Sequence, residues 1–151
     1  MGWRMILEAV EDIINRDSSL DEALLSVCRL ISKDVPGCDW VGFYIIDPQN
    51  SDELVLGPYV GAPTEHSRIA VGRGICGQAV EKGETILVKD VSKESNYLSC
   101  SIDVKSEIVV PIRKDGKIVA ELDIDSHEKA NFNAEHKEIF EKLCEKLGEL
   151  F

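Results

Sequence analysis

The chain has 151 residues, of which 44% are hydrophobic and 30% are charged, a composition that excludes a disordered or collagen-like chain. Its 28 acidic residues outnumber its 17 basic residues, which gives a formal net charge of -11. Because this charge repels phosphate backbones and anionic lipids, we expect no binding to nucleic acid or to a membrane surface. The apolar runs are too short for a membrane span and no secretion signal is evident, so we expect a cytoplasmic protein.

Residues 1–33 are predicted to form two amphipathic helices. Apolar residues recur at helical spacing over 3–15 and again over 20–31. Ser19 and Glu22, at the start of the second segment, have the spacing of a capping box. The Pro-Gly pair that follows predicts the end of the second helix before the first strand.

The remainder of the chain predicts short strands, one internal helix and a C-terminal helix. The strand segments are rich in β-branched and aromatic residues and are separated by turn residues. The predicted strands are 40–46, 53–60, 67–71, 85–89, 106–113 and 117–125, and the predicted helices are 75–81 and 134–147. This order predicts one α+β domain over 1–151. We expect a central antiparallel sheet with helices packed on one face and a ligand pocket on the other.

Residues 90–105 form a long polar stretch with little periodicity. Loops of this length are uncommon inside a compact domain and often cover a binding site. We therefore expect a lid loop over the pocket, the alternative being a disordered excursion. Cys100 lies in this segment, between Ser99 and Ser101.

Acidic residues on the last two strands are predicted to share one face of the sheet. Successive side chains along 117–125 point to opposite faces of the sheet. Glu121, Asp123 and Asp125 therefore lie on one face and the apolar residues on the other. The hairpin turn before this strand brings Glu107 of the preceding strand beside them. Like charges at this spacing destabilise a sheet. We therefore expect Glu107, Asp123 and Asp125 to bind a cation or an ammonium group, the alternative being a solvated acidic face.

The five cysteines are odd in number, widely spaced and without a CxxC pair, which disfavours a disulfide framework or a common zinc motif. Cys28 and Cys144 lie beside apolar helix faces and are predicted to pack in the core. We predict no role for Cys38.

Cys76 and Cys100 are the candidates for a reactive thiol. Cys76 follows a glycine-rich turn at the start of a predicted helix, where the helix dipole and Arg73 would favour the thiolate. Cys100 lies in the polar lid. A zinc site of His66, Cys76 and Cys100, with one acid or a water as the fourth ligand, is the less favoured alternative, because its spacing matches no common motif.

Five collinear blocks, together spanning about residues 20–147, form a recognisable signature. They read DWVGFY at 39–44, LVLGPY at 54–59, RIAVGRGICG at 68–77, SEIVVP at 106–111 and LDIDS at 122–126. In combination they resemble the GAF domain of the free methionine-(R)-sulfoxide reductase family. The resemblance implies reduction of the R-sulfoxide of free methionine, without a metal or another cofactor, and suggests a homodimer.

The resemblance also implies roles for the two reactive cysteines. Cys100 would attack the sulfoxide sulfur and become a sulfenic acid, which Cys76 would convert to a disulfide. A thioredoxin-like protein would then reduce this disulfide. Many family members carry a further cysteine upstream, near His66 of this chain, so the sequence resembles a two-cysteine variant. An external thiol is the alternative resolving group.

The substrate site implied by the resemblance contains three acids and two aromatic residues. Glu107, Asp123 and Asp125 would hold the ammonium and sulfoxide groups, and Trp40 and Tyr44 would wall the methyl-sulfoxide end. Because crowded carboxyl groups raise one another's pKa, one of them would donate a proton to the departing oxygen. Glu107 and Asp125 both remain candidates for this role.

Two other functions fit the same residues. A GAF sensor would bind an amino acid or another cation-bearing ligand without turnover. A peroxide-sensing thiol protein would oxidise Cys100 and resolve it with Cys76, with no specific ligand. The acids matter to the reductase and to the ligand sensor but not to the peroxide sensor, so their neutralisation separates the three functions.

Overall fold

A computed structural model of the protein describes residues 2–97 and 103–151. Within these residues the chain forms four α-helices and six strands, in the predicted order. The helices are α1 (Trp3–Ile14), α2 (Leu20–Asp34), α3 (Gly74–Lys82) and α4 (Ala134–Leu147). The strands are β1 (Trp40–Asp47), β2 (Asn50–Val60), β3 (Arg68–Ala70), β4 (Ile86–Val88), β5 (Ser106–Lys114) and β6 (Lys117–Ser126). No helix in this part of the chain is long and apolar enough to cross a membrane.

The six described strands form one antiparallel sheet in the order β3-β2-β1-β6-β5-β4. β5 and β6 form a hairpin whose turn residues, Asp115 and Gly116, have positive φ angles of 52° and 81°. An Asp-Gly pair suits this turn, because both residues tolerate the left-handed backbone region better than most. On its other side β6 pairs with β1, which is distant in sequence. The acid-bearing strand therefore lies at the centre of the sheet.

Helices α2 and α4 pack on one face of the sheet, and α1 packs against both of these helices. Val27 of α2 and Phe140 and Leu143 of α4 lie in this apolar core with side chains of β1, β5 and β6. The Ser19 hydroxyl caps α2 by accepting a hydrogen bond from the Glu22 backbone N–H at 3.1 Å. The α+β prediction, with helices layered on one sheet face, is confirmed.

The opposite face carries α3 and irregular segments instead of a helical layer. A second buried cluster there includes Trp40 and Tyr44 of β1 and Ile75 and Cys76 of α3. This short helix covers part of the face on which the pocket was expected.

The predicted lid, 90–105, is tied to the rest of the molecule at its first part and at its base. A short 3-10 turn begins at Val91, whose backbone N–H donates to the Lys105 carbonyl at 2.9 Å. The Asn96 side chain accepts from one backbone N–H and donates to one carbonyl of the turn 72–74, both at 2.9 Å. The middle of the segment lies outside the described residues. Its described first half is thus fixed against the turn that leads into α3.

Candidate active site

Three buried carboxyl groups of β5 and β6 share the sheet face that α3 covers. Glu107 pairs in register with Asp125, and Asp123 lies two residues earlier on the same face of β6. Each of these residues is at most 4% exposed. The structure therefore brings together the three acids that the alternation places on one face. It also shows that this face is buried, which overturns the alternative of a solvated acidic face.

A fourth acid, Glu121, belongs to the same face but is not among the site residues predicted from the sequence. It is completely buried, and neither carboxyl oxygen has a hydrogen-bond partner within the described residues. In the sheet it pairs with Tyr44 of β1 and Pro111 of β5. The alternation along β6 is the one signal that could have found it. Alternation along a strand shows on which face of the sheet a side chain lies, but not whether other elements of the fold cover that face.

Burial makes Glu107, Glu121 and Asp123 weaker acids than exposed carboxyl groups. Loss of water raises the pKa of Glu107 well above its usual value, and the charges of Asp123 and Asp125 raise it further. Burial also raises the pKa of Glu121 and of Asp123, and interaction with the Cys76 thiol partly offsets the shift of both. The cluster therefore keeps protons to higher pH than exposed carboxyl groups do and can donate them. A cation bound among the acids would favour release of those protons.

Cys76 lies in the first turn of α3, buried against the acids and with a free thiol. The expectation that the helix start and Arg73 would favour its thiolate is wrong. Burial raises the pKa of Cys76 well above its usual value, and the charges of Asp123, Glu121 and Glu107 raise it further. Desolvation and three nearby carboxyl groups thus outweigh the helix dipole, and the thiol is neutral.

The other described cysteines are structural. Cys28 and Cys144 lie in the apolar core between the helices and the sheet, as the helical pattern predicts. Cys38 lies in the same core. Burial raises the pKa of Cys28 and of Cys38 to about 12, so these thiols stay protonated and unreactive.

A small cavity opens beside the acid cluster. Its volume is about 10 Å³, the space of about one water molecule. Its lining includes Tyr44, His66, Cys76, Glu107 and Asp123. One ligand atom from each of the last three residues lies within 4.8 Å of the other two. The cavity in this conformation suits an ion or a single water, and an amino acid requires it to open.

The two predicted aromatic residues lie on β1, directly beside the acids of β6. Trp40 pairs with Asp125, and the rings of Trp40 and Tyr44 stack with centroids 6.4 Å apart. The indole N–H of Trp40 donates to the Ala62 carbonyl at 3.0 Å, which fixes the ring. Gly42 separates the two aromatic residues, and a Cβ atom there would lie 2.4 Å from the Trp40 ring. A glycine at this position therefore allows the indole to fold over the strand.

The predicted nucleophile, Cys100, lies outside the described residues, as do Ser99 and Ser101. The other residues predicted for the site are described. The structure places Cys76 and the three acids in one buried cluster, Tyr44 on the cavity, and Trp40 behind Tyr44.

A family comparison agrees with this architecture. Residues 17–151 match the family described as the GAF domain. The chain belongs to the GAF domain family. Among relatives of this GAF domain is GAF domain-containing protein A of Dictyostelium discoideum, which is 43% identical over 131 residues, covering 87% of this chain and 80% of the relative.

Two further similarities concern proteins named as reductases. The free methionine-R-sulfoxide reductase of Escherichia coli is 32% identical to this GAF domain over 131 residues, covering 87% of this chain and 77% of the relative. The crystal structure of free methionine-R-sulfoxide reductase from Neisseria meningitidis, in complex with its substrate, superposes with a TM-score of 0.93 at 36% identity. That superposition covers 99% of this chain and 87% of the other.

Proposed function

We propose that this GAF domain reduces the R-sulfoxide of free methionine to methionine with its own thiols. The observation that carries the proposal is the buried cluster of Glu107, Asp123 and Asp125 beside the Cys76 thiol. The names of the Escherichia coli and Neisseria meningitidis relatives support the same activity. Burying several carboxyl groups side by side costs free energy, which a functional role would explain.

The acid cluster provides a reason for selecting the free amino acid. An ammonium group would neutralise the carboxylates and form charge-assisted hydrogen bonds with them. Methionine sulfoxide within a peptide has an amide in place of that ammonium group, so it would leave the buried charges unpaired. Trp40 and Tyr44 would contact the methyl-sulfoxide end of the substrate. Free methionine sulfoxide is therefore the proposed ligand.

The proposed chemistry transfers one oxygen atom from substrate to protein. The Cys100 sulfur attacks the sulfoxide sulfur, and an acid of the cluster protonates the sulfoxide oxygen. The bond between this oxygen and the substrate sulfur breaks as the oxygen bonds to the Cys100 sulfur, so methionine forms and Cys100 becomes a sulfenic acid. Glu107, whose pKa is raised by burial, and Asp125 are the candidate donors. Cys76 then condenses with the sulfenic acid, which forms a disulfide and releases water. A thioredoxin-like dithiol reduces that disulfide by exchange.

The neutral state of Cys76 adds a step to this scheme. Its thiol must lose a proton before it can act as a nucleophile, and the surrounding carboxylates oppose that loss. The ammonium group of the methionine product, while it is still bound to Glu107 and Asp123, would cancel those charges and lower the pKa of Cys76. The proposal as a whole also includes a cytoplasmic location, a homodimer and a lid formed by residues 90–105.

A single-turnover experiment tests the function. Fully reduced protein is mixed with free methionine-(R)-sulfoxide without external reductant, and methionine and free thiols are counted. We expect about one methionine per chain and the loss of about two thiols. Cys100→Ser should prevent both, whereas Cys76→Ser should still form one methionine, with the loss of one thiol and no disulfide. The S epimer and a peptide sulfoxide are controls that should yield none. Binding without methionine formation would instead support the GAF sensor, and thiol loss only with peroxide would support the peroxide sensor.

A further inference from the structure

Three side chains of different elements converge on the small cavity described above. Cys76 comes from α3, Glu107 from β5 and Asp123 from β6. The sulfur and one oxygen from each acid lie within 4.8 Å of one another, and all three residues are buried. Glu107 Oε1 and Asp123 Oδ1 have no hydrogen-bond partner within the described residues. The cavity that they line, about 10 Å³, is the size of a single water or ion.

We propose that Cys76, Glu107 and Asp123 form an inhibitory zinc site. One thiolate and two carboxylates are all ordinary zinc ligands, and three protein ligands leave a fourth position for water. Magnesium and calcium prefer oxygen ligands alone, so the sulfur favours zinc over them. The ion is an inhibitor here and not a cofactor of the reaction.

This ligand set differs from the zinc alternative considered from the sequence. That alternative combined Cys76 with His66 and Cys100, whose spacing matches no common motif. In the structure two buried carboxyl groups, and not His66, complete the group around Cys76. The acids come from paired strands, so their separation is set by the sheet and does not appear in the sequence spacing.

Binding involves no change of oxidation state. The Cys76 S–H bond breaks, a zinc–sulfur bond forms and the proton passes to solvent. Any proton on Glu107 or Asp123 is released in the same way as a zinc–oxygen bond forms. The ion replaces the like-charge repulsion of the two acids with attraction, which gives a reason for binding in a buried position.

The inhibitory effect rests on the proposed function. Zinc would occupy two of the acids proposed to hold the substrate ammonium group, and it would block the thiol proposed to resolve the sulfenic acid. Zinc and free methionine sulfoxide would therefore compete for one site. Zinc binding itself does not depend on the proposed reaction and can be measured without turnover.

Metal titration of the reduced full chain tests the site. Cobalt(II) replaces zinc as a spectroscopic probe, because a cobalt–thiolate bond gives a charge-transfer absorbance that oxygen ligands do not. We expect one cobalt per chain with this absorbance, displaced by zinc. Cys76→Ser should abolish the absorbance. Glu107→Gln and Asp123→Asn should each weaken zinc binding, measured by calorimetry. Loss of a residue that only contacts a ligand lowers metal affinity by roughly 10–100-fold, and loss of a ligand itself should lower it at least as much.

Two control variants match these changes. Cys38→Ser removes a buried thiol in the other core, and Asp39→Asn removes a carboxylate that lies 3.8 Å from the exposed His127 ring. Both should bind zinc as the unmodified protein does. The two amide variants keep the shape of the side chains they replace, so they test the site even if Cys76→Ser folds poorly. Circular dichroism verifies the fold of each variant.

Three results would overturn the zinc site. One is no cobalt–thiolate absorbance in the unmodified protein. Another is an absorbance that persists in Cys76→Ser and disappears in Cys100→Ser. The third is unchanged zinc affinity in both Glu107→Gln and Asp123→Asn.

A competition experiment separates this inference from the proposed function. Zinc that binds through Cys76 and raises the KM for free methionine sulfoxide supports both. Zinc that binds through Cys76 in a protein that never forms methionine supports the zinc site and overturns the proposed function. Turnover that is unaffected by bound zinc overturns the inhibitory role.

Discussion

The two faces of the central sheet are both buried, but they differ in chemistry. On one face, Ala120, Leu122 and Ile124 of β6 pack against the helices, and their burial stabilises the fold. On the other, Glu121, Asp123 and Asp125 of the same strand are equally buried, and their desolvation opposes folding.

The two faces of β6 therefore differ in role, because one stabilises the fold and the other carries the groups proposed to act in function. The helical face supplies apolar burial, and the acid face holds groups that are unfavourable until a cation binds. Buried polar groups that cost stability are expected at sites where they serve a function. Four changes, two on the acid face, one on the helical face and one beside α3, would break or sharpen this comparison.

The largest effect is expected from Asp123→Asn on the acid face. Loss of this carboxylate should lower kcat/KM for free methionine-(R)-sulfoxide by about 10²–10⁴-fold, because it removes a charge that binds the ammonium group. The free energy of unfolding should not fall. Asp52→Asn, an exposed change, is the control, and oxidation of thiols by peroxide should survive in both variants. Full reductase activity in Asp123→Asn would contradict the assigned role of this acid.

The opposite result is expected from the neighbouring residue on the helical face. Leu122→Ala should lower the free energy of unfolding by about 2–5 kcal/mol, through lost apolar burial and a cavity in the core. Urea denaturation measures this change. Met5→Ala, at an exposed position, should cost less than about 0.5 kcal/mol. If Leu122→Ala and Asp123→Asn had equal effects on stability, the two faces would not differ as described.

Glu121→Gln tests the cost of burying an acid through its pH dependence. The pKa of Glu121 is higher in the folded than in the unfolded protein, so its favourable contribution is fully present below the unfolded value. That contribution is lost as pH rises from about 4.3 toward the folded pKa, at up to about 1.4 kcal/mol per pH unit. We therefore expect Glu121→Gln to gain stability relative to the unmodified protein as pH rises from 4.5 to 8.

Denaturant unfolding at several pH values measures this gain. Glu84→Gln, which changes an exposed acid, provides the control and should show no such trend. A difference between Glu121→Gln and the unmodified protein that stays constant with pH would mean that Glu121 does not stay protonated in the folded state.

The smallest effect is expected from Asn96→Ala, which removes two hydrogen bonds to the turn before α3. The local opening free energy of α3 should fall by about 1 kcal/mol, seen as faster amide hydrogen exchange over Gly74–Lys82. Exchange in α2 should not change. Asn131→Ala, which removes one side-chain bond to the Pro36 carbonyl, should leave α3 unaffected. Equal acceleration in α2 and α3 would show that α3 does not open separately.

Local patterns predict much of this fold. The helical period, the capping residue Ser19 and the Asp-Gly turn gave the helices and the last hairpin, because each depends on residues close in sequence. Alternation along β6 predicted that Asp123 and Asp125 share a face. The pairing of β6 with β1 was not predictable in this way, because it joins segments that are far apart in the chain.

The site was less predictable than the fold, because its chemistry depends on burial. The position of Cys76 at a predicted helix start favoured a thiolate, whereas burial and the carboxyl groups that surround the thiol in space raise its pKa and keep it neutral. The same limitation applies to Glu121, whose face was predictable and whose burial was not. In each case the decisive neighbours belong to other elements of the fold.

The sheet ends in two very short strands, and this has a consequence for self-association. β3 and β4, at the two edges, have three residues each, so neither offers a long row of free backbone groups to another chain. Strand β5 extends past the residues that pair with β4, and this part of it contains Pro111, which has no N–H to donate. The two edge strands β3 and β4 are therefore poor templates for edge-to-edge pairing with a second copy.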